Sequence, residues 1–167
     1  MMDELDNNML QEGLKSIEGH VKYLSNTIDI FRDFLKESKG KEEFIMTESI
    51  AEAILVVKEQ CRNNNIALNV ENGCADYSMN TYKDELIQAM VNILTNAQEA
   101  LVENSVLSPK IDILCEENPT SIHIKILDNA GGIKDDVMPK IFTPYFSTKT
   151  SKNGTGLGLY MTKTIAE

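Results

Sequence analysis

An unbroken heptad pattern of apolar residues near the start of the chain constrains its fold most. Spacings of four and three alternate through Leu10, Leu14, Ile17, Val21, Leu24, Ile28, Phe31 and Leu35. The pattern predicts one long helix over residues 5–37, whose apolar stripe extends for about 40 Å. Because so narrow a stripe must be covered by other helices, we favour packing against a partner helix over packing against the chain's own domain.

A polar, glycine-containing segment at residues 38–43 follows this helix. We therefore divide the chain into an N-terminal helix at 1–40 and a globular domain at 41–167. Twenty-six acidic and sixteen basic side chains give a formal net charge of −10. This balance argues against nucleic acid and anionic membrane surfaces as main partners, because both require a cationic surface. No run of eighteen apolar residues is present, so the sequence predicts no membrane-spanning segment.

The three cysteines, Cys61, Cys74 and Cys115, form no CxxC pair. We expect reduced structural thiols in a cytoplasmic protein, in preference to a zinc or redox site.

Periodicity in the globular part predicts both helices and strands. Thr47 is the expected N-cap of the first helix in this domain. The predicted elements are strands near 44–46, 66–70 and 76–79, helices at 47–63 and 81–102, a hairpin of strands 110–115 and 121–127, a loop to about residue 156, and a helix beginning near Leu157.

Asn92 and Asn96 lie four residues apart on the second of these helices, so their amides face the same side. An amide oxygen is a neutral ligand for Mg²⁺, and an amide NH₂ can reach a phosphate. Paired asparagines on a helix are more often polar surface, but apolar neighbours from Met90 to Ala97 argue against a purely solvated face.

The segment Asp128-Asn129-Ala130-Gly131-Gly132-Ile133 directly follows an apolar strand. A carboxylate there, before glycines that let another group approach the backbone, can accept a hydrogen bond from the exocyclic amine of a base. An Asx turn followed by a structural diglycine is an equally good interpretation of this segment alone.

The segment Gly154-Thr155-Gly156-Leu157-Gly158-Leu159 opens the final predicted helix. Its glycines leave backbone amides free to surround phosphate oxygens at a helix N-terminus. It is neither a Rossmann fingerprint nor a Walker loop, since no strand immediately precedes it and no Gly-Lys-Ser/Thr follows.

In chain order, the segments NILTNA, DNAGGI, IFTPYFSTK and GTGLGL together resemble the N box, first glycine box, F box and second glycine box of two-component histidine kinases. This resemblance covers about residues 44–167 and extends to the wider group of topoisomerase and MutL-type ATPases. It implies a fold of mixed α/β (α+β) class, a two-layer α/β sandwich that binds ATP and Mg²⁺. It also implies that residues 1–40 carry the second helix of a dimerisation stalk.

The resemblance also implies a role for each matching residue. Asn92 and Asn96 would be the catalytic residues, with Asn96 as the Mg²⁺ ligand and Asn92 helping to hold the phosphates. The F-box aromatics Phe142, Tyr145 and Phe146 would anchor a lid, and Lys152 is more simply a solvated lid charge. The implied ATP-binding set is Asn96, Asp128, Gly132, Ile133, Phe142, Lys149, Gly154, Thr155, Gly156, Leu157 and Gly158, with Asp128 reading adenine and Lys149 facing the phosphates.

Position 92 distinguishes a kinase from a hydrolase. Relatives that activate water or a serine hydroxyl carry a glutamate there, whereas Asn92 cannot accept a proton. Neutral imidazole already has a free lone pair, so phosphoryl transfer to histidine needs mainly positioning and charge neutralisation. The sequence therefore favours transfer of the ATP γ-phosphoryl group to a histidine, for relay to the receiver domain of a response regulator.

Two departures from the family pattern qualify this function. Neither His20 nor His123 lies in the family's acceptor motif, so we do not expect the chain to phosphorylate itself and expect the acceptor on a separate stalk helix. The family's two last strands are also missing after Glu167.

The partner expectations are a homodimer through the stalk helix, no nucleic acid and no membrane contact, with any membrane anchor of a parent protein outside this segment. A nucleotide-sensing module without chemistry and a hydrolytic ATPase of the same fold are the alternatives.

Overall fold

A computed structural model describes residues 9–14, 16–18, 21, 25, 28, 40–74, 77–118, 121–149 and 154–167. The described residues between 9 and 28 are helical. The elements that follow are β1 (Glu42–Ile45), α1 (Met46–Asn63), β2 (Ala67–Asn72), β3 (Ser78–Thr81), α2 (Lys83–Glu103), β4 (Lys110–Asn118), β5 (Ser121–Asp128), a 3₁₀ turn (Met138–Lys140) and α3 (Gly158–Ala166).

Two sheets are formed by these strands. β1 and β3 pair antiparallel, with Phe44 opposite Met79. In the larger sheet, β4 lies between β2 and β5, pairing parallel with β2 and antiparallel with β5. Alternate β4 residues Ile111, Ile113 and Cys115 are buried, as expected of a strand with one face on the core. This mixed sheet, with helices on its buried face, confirms the expected α+β class.

The core lies between the sheet and the packed helices α1 and α2. Ile50, Ala53, Val57 and Cys61 recur along the buried face of α1, at the three- and four-residue spacing of an amphipathic helix. Matching buried positions on α2 are Met90, Leu94, Ala97 and Leu101. Both helices therefore present one apolar stripe inward, which leaves the opposite face of α2 for polar groups.

The expected N-cap at Thr47 is wrong. Helix α1 begins one residue earlier, at Met46, and its N-cap Ile45 makes no side-chain capping bond. The backbone N–H of Met46 instead donates to the carbonyl of Tyr77 at 3.0 Å. A contact from a distant segment thus replaces the local cap that the sequence suggested.

The expectation of three reduced cysteines is also wrong. Cys74 and Cys115 form a disulfide between the segment after β2 and strand β4. The parallel register places Asn72 opposite Cys115, and Gly73 N–H donates to the Cys115 carbonyl at 2.9 Å. This close approach brings Cys74 next to its partner. Cys61 is free and buried, and burial raises the pKa of its thiol.

Five residues of the heptad stripe are described, and each is 58–64% exposed: Leu10, Leu14, Ile17, Val21 and Ile28. The chain's own domain therefore does not cover this part of the stripe. The other stripe residues, Leu24, Phe31 and Leu35, lie outside the described residues. Among the helices that the structure describes, none has the length and apolar character needed to cross a membrane.

Candidate functional site

The exposed side of α2 carries a line of polar side chains. Gln88, Asn92, Asn96 and Glu99 follow one another at spacings of four, four and three, so they lie within an arc of about 80° on the helix. Gln88 Nε2 donates to Asn92 Oδ1 at 3.2 Å. Together with Asn104 at the end of α2, this line is the platform that the other predicted segments contact.

Asn92 connects α2 to the start of α3. Its Nδ2 donates to the Gly158 carbonyl at 3.3 Å and lies 3.4 Å from Thr162 Oγ1. With Oδ1 bonded to Gln88, the Asn92 amide is used at both ends by the chain itself. Asn92 therefore holds the glycine-rich turn (residues 154–158) beside α2.

Asn96 differs from Asn92 in its bonding, although both are half-buried. Within the part of the chain that the structure describes, the Asn96 amide has no hydrogen-bond partner. A half-buried amide without a partner keeps its full capacity to bind a ligand. Asn96 thus has the character expected of a metal or phosphate ligand.

Asp128 ends β5 and opens the diglycine loop (residues 128–132). Its Oδ1 accepts a hydrogen bond from the Ala130 N–H at 2.9 Å, which forms an Asx turn. Gly131 and Gly132 both have positive φ, 101° and 81°. A Cβ added at Gly132 would meet open space. The segment is therefore both a structural turn and an open surface beside an exposed carboxylate.

Two asparagines that the sequence did not identify hold this loop. Asn104, the C-cap of α2, donates from Nδ2 to the Ala130 carbonyl at 2.8 Å. Asn129 accepts from the Lys110 N–H at 2.9 Å and donates to the Ser108 carbonyl at 3.2 Å. The only local signal was that Asn104 follows a helix, a common C-cap position. These bonds fix the diglycine loop to the end of α2 and the start of β4.

The aromatic segment (residues 141–149) and the glycine-rich turn meet through their backbones. Tyr145 N–H donates to the Gly156 carbonyl at 2.9 Å. A Cβ on Gly156, whose φ is 66°, would overlap the Tyr145 backbone and lie 2.7 Å from Phe146 N. The third residue of the turn must therefore be glycine for the two segments to touch.

Lys149 reaches across to α2, where its Nζ forms an ion pair with Glu99 Oε2. The side chains are 18% and 36% exposed, so Lys149 is the more enclosed partner. Glu99 lies three residues after Asn96, and its carboxylate is engaged. The ion pair therefore places a cation on α2 three residues beyond Asn96.

The remaining predicted residues range from exposed to buried. Phe142 is 44% exposed, with Lys163 Nζ 5.9 Å from its ring centre, and the Tyr145 ring is 65% exposed. The backbone, more than these two rings, holds the aromatic segment. Ile133 is 46% exposed, whereas Leu157 is buried. Thr155 Oγ1 accepts from the Leu157 N–H at 3.3 Å. Lys152 lies outside the described residues.

A separate apolar cavity of about 540 Å³ lies between α2, β3, β5 and α3. Its walls include Met90, Ile93, Ile124 and Ile126. None of the predicted binding residues lines it. The polar platform on α2 is therefore a different surface from this cavity.

Comparison with known proteins identifies the family of this chain. Residues 81–167 match the family described as histidine kinase-, DNA gyrase B- and HSP90-like ATPase. The chain is 32% identical over 146 residues to sporulation kinase B of Bacillus subtilis, covering 86% of this chain and 32% of that protein. It is 39% identical over 80 residues to the two-component sensor PprA of Pseudomonas aeruginosa, covering 46% of this chain and 9% of PprA. The chain thus spans less than a third of either relative.

Solved structures agree in fold. The nucleotide-free catalytic domain of histidine kinase ThkA superposes with a TM-score of 0.65 at 30% identity, covering 75% of this chain and 78% of that one. ThkA in complex with the response regulator protein TrrA superposes with a TM-score of 0.63 at 26% identity, covering 77% and 38%.

Proposed function

Because this chain belongs to the histidine kinase-, DNA gyrase B- and HSP90-like ATPase family, we propose that it binds ATP on the α2 platform and transfers the γ-phosphoryl group to a histidine of a two-component pathway. The observation that carries the proposal is the convergence on α2. The diglycine loop is bonded to Asn104, the glycine-rich turn to Asn92, and Lys149 to Glu99. Three segments distant in sequence are therefore bonded to α2, at positions on both sides of Asn96.

We assign the base to the diglycine loop and the phosphates to the glycine-rich turn. Asp128 is exposed and its Oδ1 is used by the Asx turn, which leaves Oδ2 to accept from an exocyclic amine. Open space beside Gly132 would admit the base next to Ile133. Backbone amides from Gly154 to Gly158, at the N-terminus of α3, would face the phosphates near Lys149, and Phe142 lies on the rim.

Mg²⁺ fits this site through Asn96. Its amide oxygen is a suitable hard ligand, and it is the half-buried amide that has no partner within the described residues. The described residues contain no cluster of three acidic, histidine or cysteine side chains. The other ligands would therefore be phosphate oxygens and water, as is common for nucleotide-bound Mg²⁺. When bound, the ion neutralises phosphate charge during transfer.

The acceptor of the phosphoryl group follows from the polar line on α2. Asn92 is engaged with Gly158 and Gln88, and Glu99 with Lys149, so neither offers a base for water. A neutral imidazole nitrogen needs no such base, since its lone pair attacks phosphorus as the bond to the ADP oxygen breaks. This supports histidine over water or serine as the acceptor.

We further propose that residues 1–40 are a stalk helix that forms a homodimer, and that residues 41–167 are the ATP-binding domain. The exposed stripe residues from Leu10 to Ile28 need a covering partner, and a second copy offers the same stripe. The acceptor histidine would lie on another stalk helix. The next partner would be a response regulator in the cytoplasm, since ThkA is seen in complex with one.

Calorimetric titration of the chain with ATP and Mg²⁺, followed by incubation with a stalk fragment that carries an acceptor histidine, tests the function. We expect saturable binding and phosphate transfer to the fragment. Asn96→Asp should weaken Mg²⁺-ATP binding about tenfold or more, whereas Asn118→Asp, at an exposed strand end, should not.

Three results would count against the proposal. Wild-type affinity in Asn96→Asp would remove the site assignment. Binding without transfer would favour a nucleotide-sensing module, and sustained phosphate release by the pure chain would favour a hydrolase. A monomer mass by light scattering at micromolar concentration would contradict the homodimer.

A further inference from the structure

The ion pair between Lys149 and Glu99 joins the aromatic segment to α2, and the function proposed above assigns Glu99 no role toward ATP. We infer that Glu99 is a positioning residue, which presents the Lys149 ammonium to the ATP phosphates beside Asn96. This inference rests on the proposed function, because it assumes that the phosphates lie against the glycine-rich turn.

Lys149 is held at three points, one on its backbone and two on its side chain. Its backbone N–H donates to Ser147 Oγ at 3.1 Å. Gly154 packs against its stem so closely that an added Cβ would lie 3.2 Å from Lys149 Cβ and 3.3 Å from Cδ. Its Nζ is bound by Glu99. A lysine stem is normally flexible, so two restraints on the side chain and one on the backbone fix where its charge is delivered.

The position of that charge matches a phosphate site. Glu99 lies three residues after Asn96, which corresponds to about 4.5 Å along the axis of α2. Gly154, which covers the lysine stem, is the first residue of the glycine-rich turn. The ammonium therefore lies at the Glu99 carboxylate, three residues beyond Asn96 on α2, and its stem lies against the turn whose backbone amides we assign to the phosphates.

Glu99 holds the ammonium without using up its hydrogen-bonding capacity. An ammonium group has three donor hydrogens, so a bond to one carboxylate leaves two for phosphate oxygens. Because the lysine is ordered before the ligand arrives, binding does not have to immobilise a free four-carbon chain. Glu99 thus acts on ATP through Lys149 and not by contact with it.

Affinities of Glu99→Gln, Lys149→Gln and the double variant for Mg²⁺-ATP, Mg²⁺-ADP and adenosine test this role in the full chain. We expect Lys149→Gln to weaken ATP binding about tenfold and Glu99→Gln about threefold. The loss should be smaller for ADP, and adenosine binding should not change. Glu99→Asp, which keeps the charge, should restore part of the affinity.

The double variant separates positioning from other effects. If Glu99 acts only through Lys149, then Glu99→Gln should have no further effect once Lys149→Gln is present. Glu103→Gln is the matched control, because it removes the same charge one turn further along α2, from an exposed carboxylate. Thermal unfolding of each variant shows whether the fold is retained.

Three results would overturn the inference while leaving the proposed function intact: tighter ATP binding in Glu99→Gln, which would mean that the carboxylate competes with phosphate; equal losses for all three ligands; or additive losses in the double variant. A wild-type chain that binds none of the three ligands would instead overturn the proposed function, and this inference with it.

Discussion

The two sides of the α2 platform are held by different kinds of contact. The diglycine loop is bonded through asparagine side chains to backbone carbonyls and an amide at three places. The aromatic segment and the glycine-rich turn touch each other by one backbone bond, and they reach α2 through the ion pair of Lys149 and the Asn92 amide. The diglycine loop is thus held by hydrogen bonds to the backbone of the scaffold. The aromatic segment and the glycine-rich turn are held to α2 by the side chains of Lys149 and Asn92.

This difference matches the two tasks that we assign. A base has one fixed shape, so a loop set by hydrogen bonds to the scaffold suits its recognition. Phosphates change in number and charge as the γ-phosphoryl group leaves, so contacts through ions and glycine backbone suit that side. Variants should therefore separate into those that affect the scaffold, the base side or the phosphate side.

The largest effect on stability should come from the disulfide in the scaffold that carries both sides. Reducing the Cys74–Cys115 disulfide, which closes a separation of 41 residues, should lower the free energy of unfolding by about 4 kcal/mol on the chain-entropy account. Urea unfolding with and without dithiothreitol measures this, and Cys74→Ser with Cys115→Ser should behave like the reduced chain. ATP affinity of the folded fraction should not change. An unchanged midpoint would show that the pair does not stabilise the chain.

Gly156→Ala and Gly132→Ala compare the two sides directly, since both glycines have positive φ. The new methyl at position 156 would overlap the backbone of Tyr145 and separate the two segments of the phosphate side. We expect a loss of about 3 kcal/mol in stability, together with weaker ATP binding. At position 132 the methyl meets open space, so stability should fall by only about 1 kcal/mol.

Ligand binding completes that comparison. The open space at Gly132 is where we place the base, so Gly132→Ala should weaken adenosine binding despite its small cost in stability. Thermal unfolding and adenosine titration of both variants provide the measurements. Equal stability losses at the two glycines would contradict the different packing of the two sides.

Asp128→Asn should weaken ATP and adenosine binding equally, by about tenfold to a hundredfold, because it removes a charge-assisted hydrogen bond to the base. The loop should keep its shape, since the asparagine Oδ1 can still accept from the Ala130 N–H. Asp136→Asn, at an exposed position of the following loop, is the control. A loss confined to ATP would place Asp128 on the phosphate side.

Much of this organisation could be predicted from local patterns. The helix expected at 81–102 is α2, Lys83–Glu103, and the expected hairpin is β4 with β5. These elements follow from apolar periodicity and from turn residues, which act over a few positions. The order of the four motif segments likewise identified the family.

What escaped prediction depends on contacts between distant residues. The cysteine pair follows from the parallel register of β2 and β4, which no short window of sequence contains. Pairing of Glu99 with Lys149 requires the aromatic segment to fold back over α2, across fifty positions. Asn104 and Asn129 form hydrogen bonds with backbone groups that come together only in the folded chain. In the sequence, each is simply a residue type common in turns.

The smallest effect should come from Asn104→Ala, and it is the most direct test of a base side built into the scaffold. The change removes the 2.8 Å bond to the Ala130 carbonyl, which should lower stability by about 1 kcal/mol. Adenosine affinity should also fall a few-fold, because the loop would then have to be ordered on binding. The matched control is Asn64→Ala, another helix C-cap, whose amide donates to Gln60 O of its own helix at 2.9 Å. It should lower stability without changing adenosine affinity, so equal affinities in both variants would show that the asparagine bonds do not organise the base side.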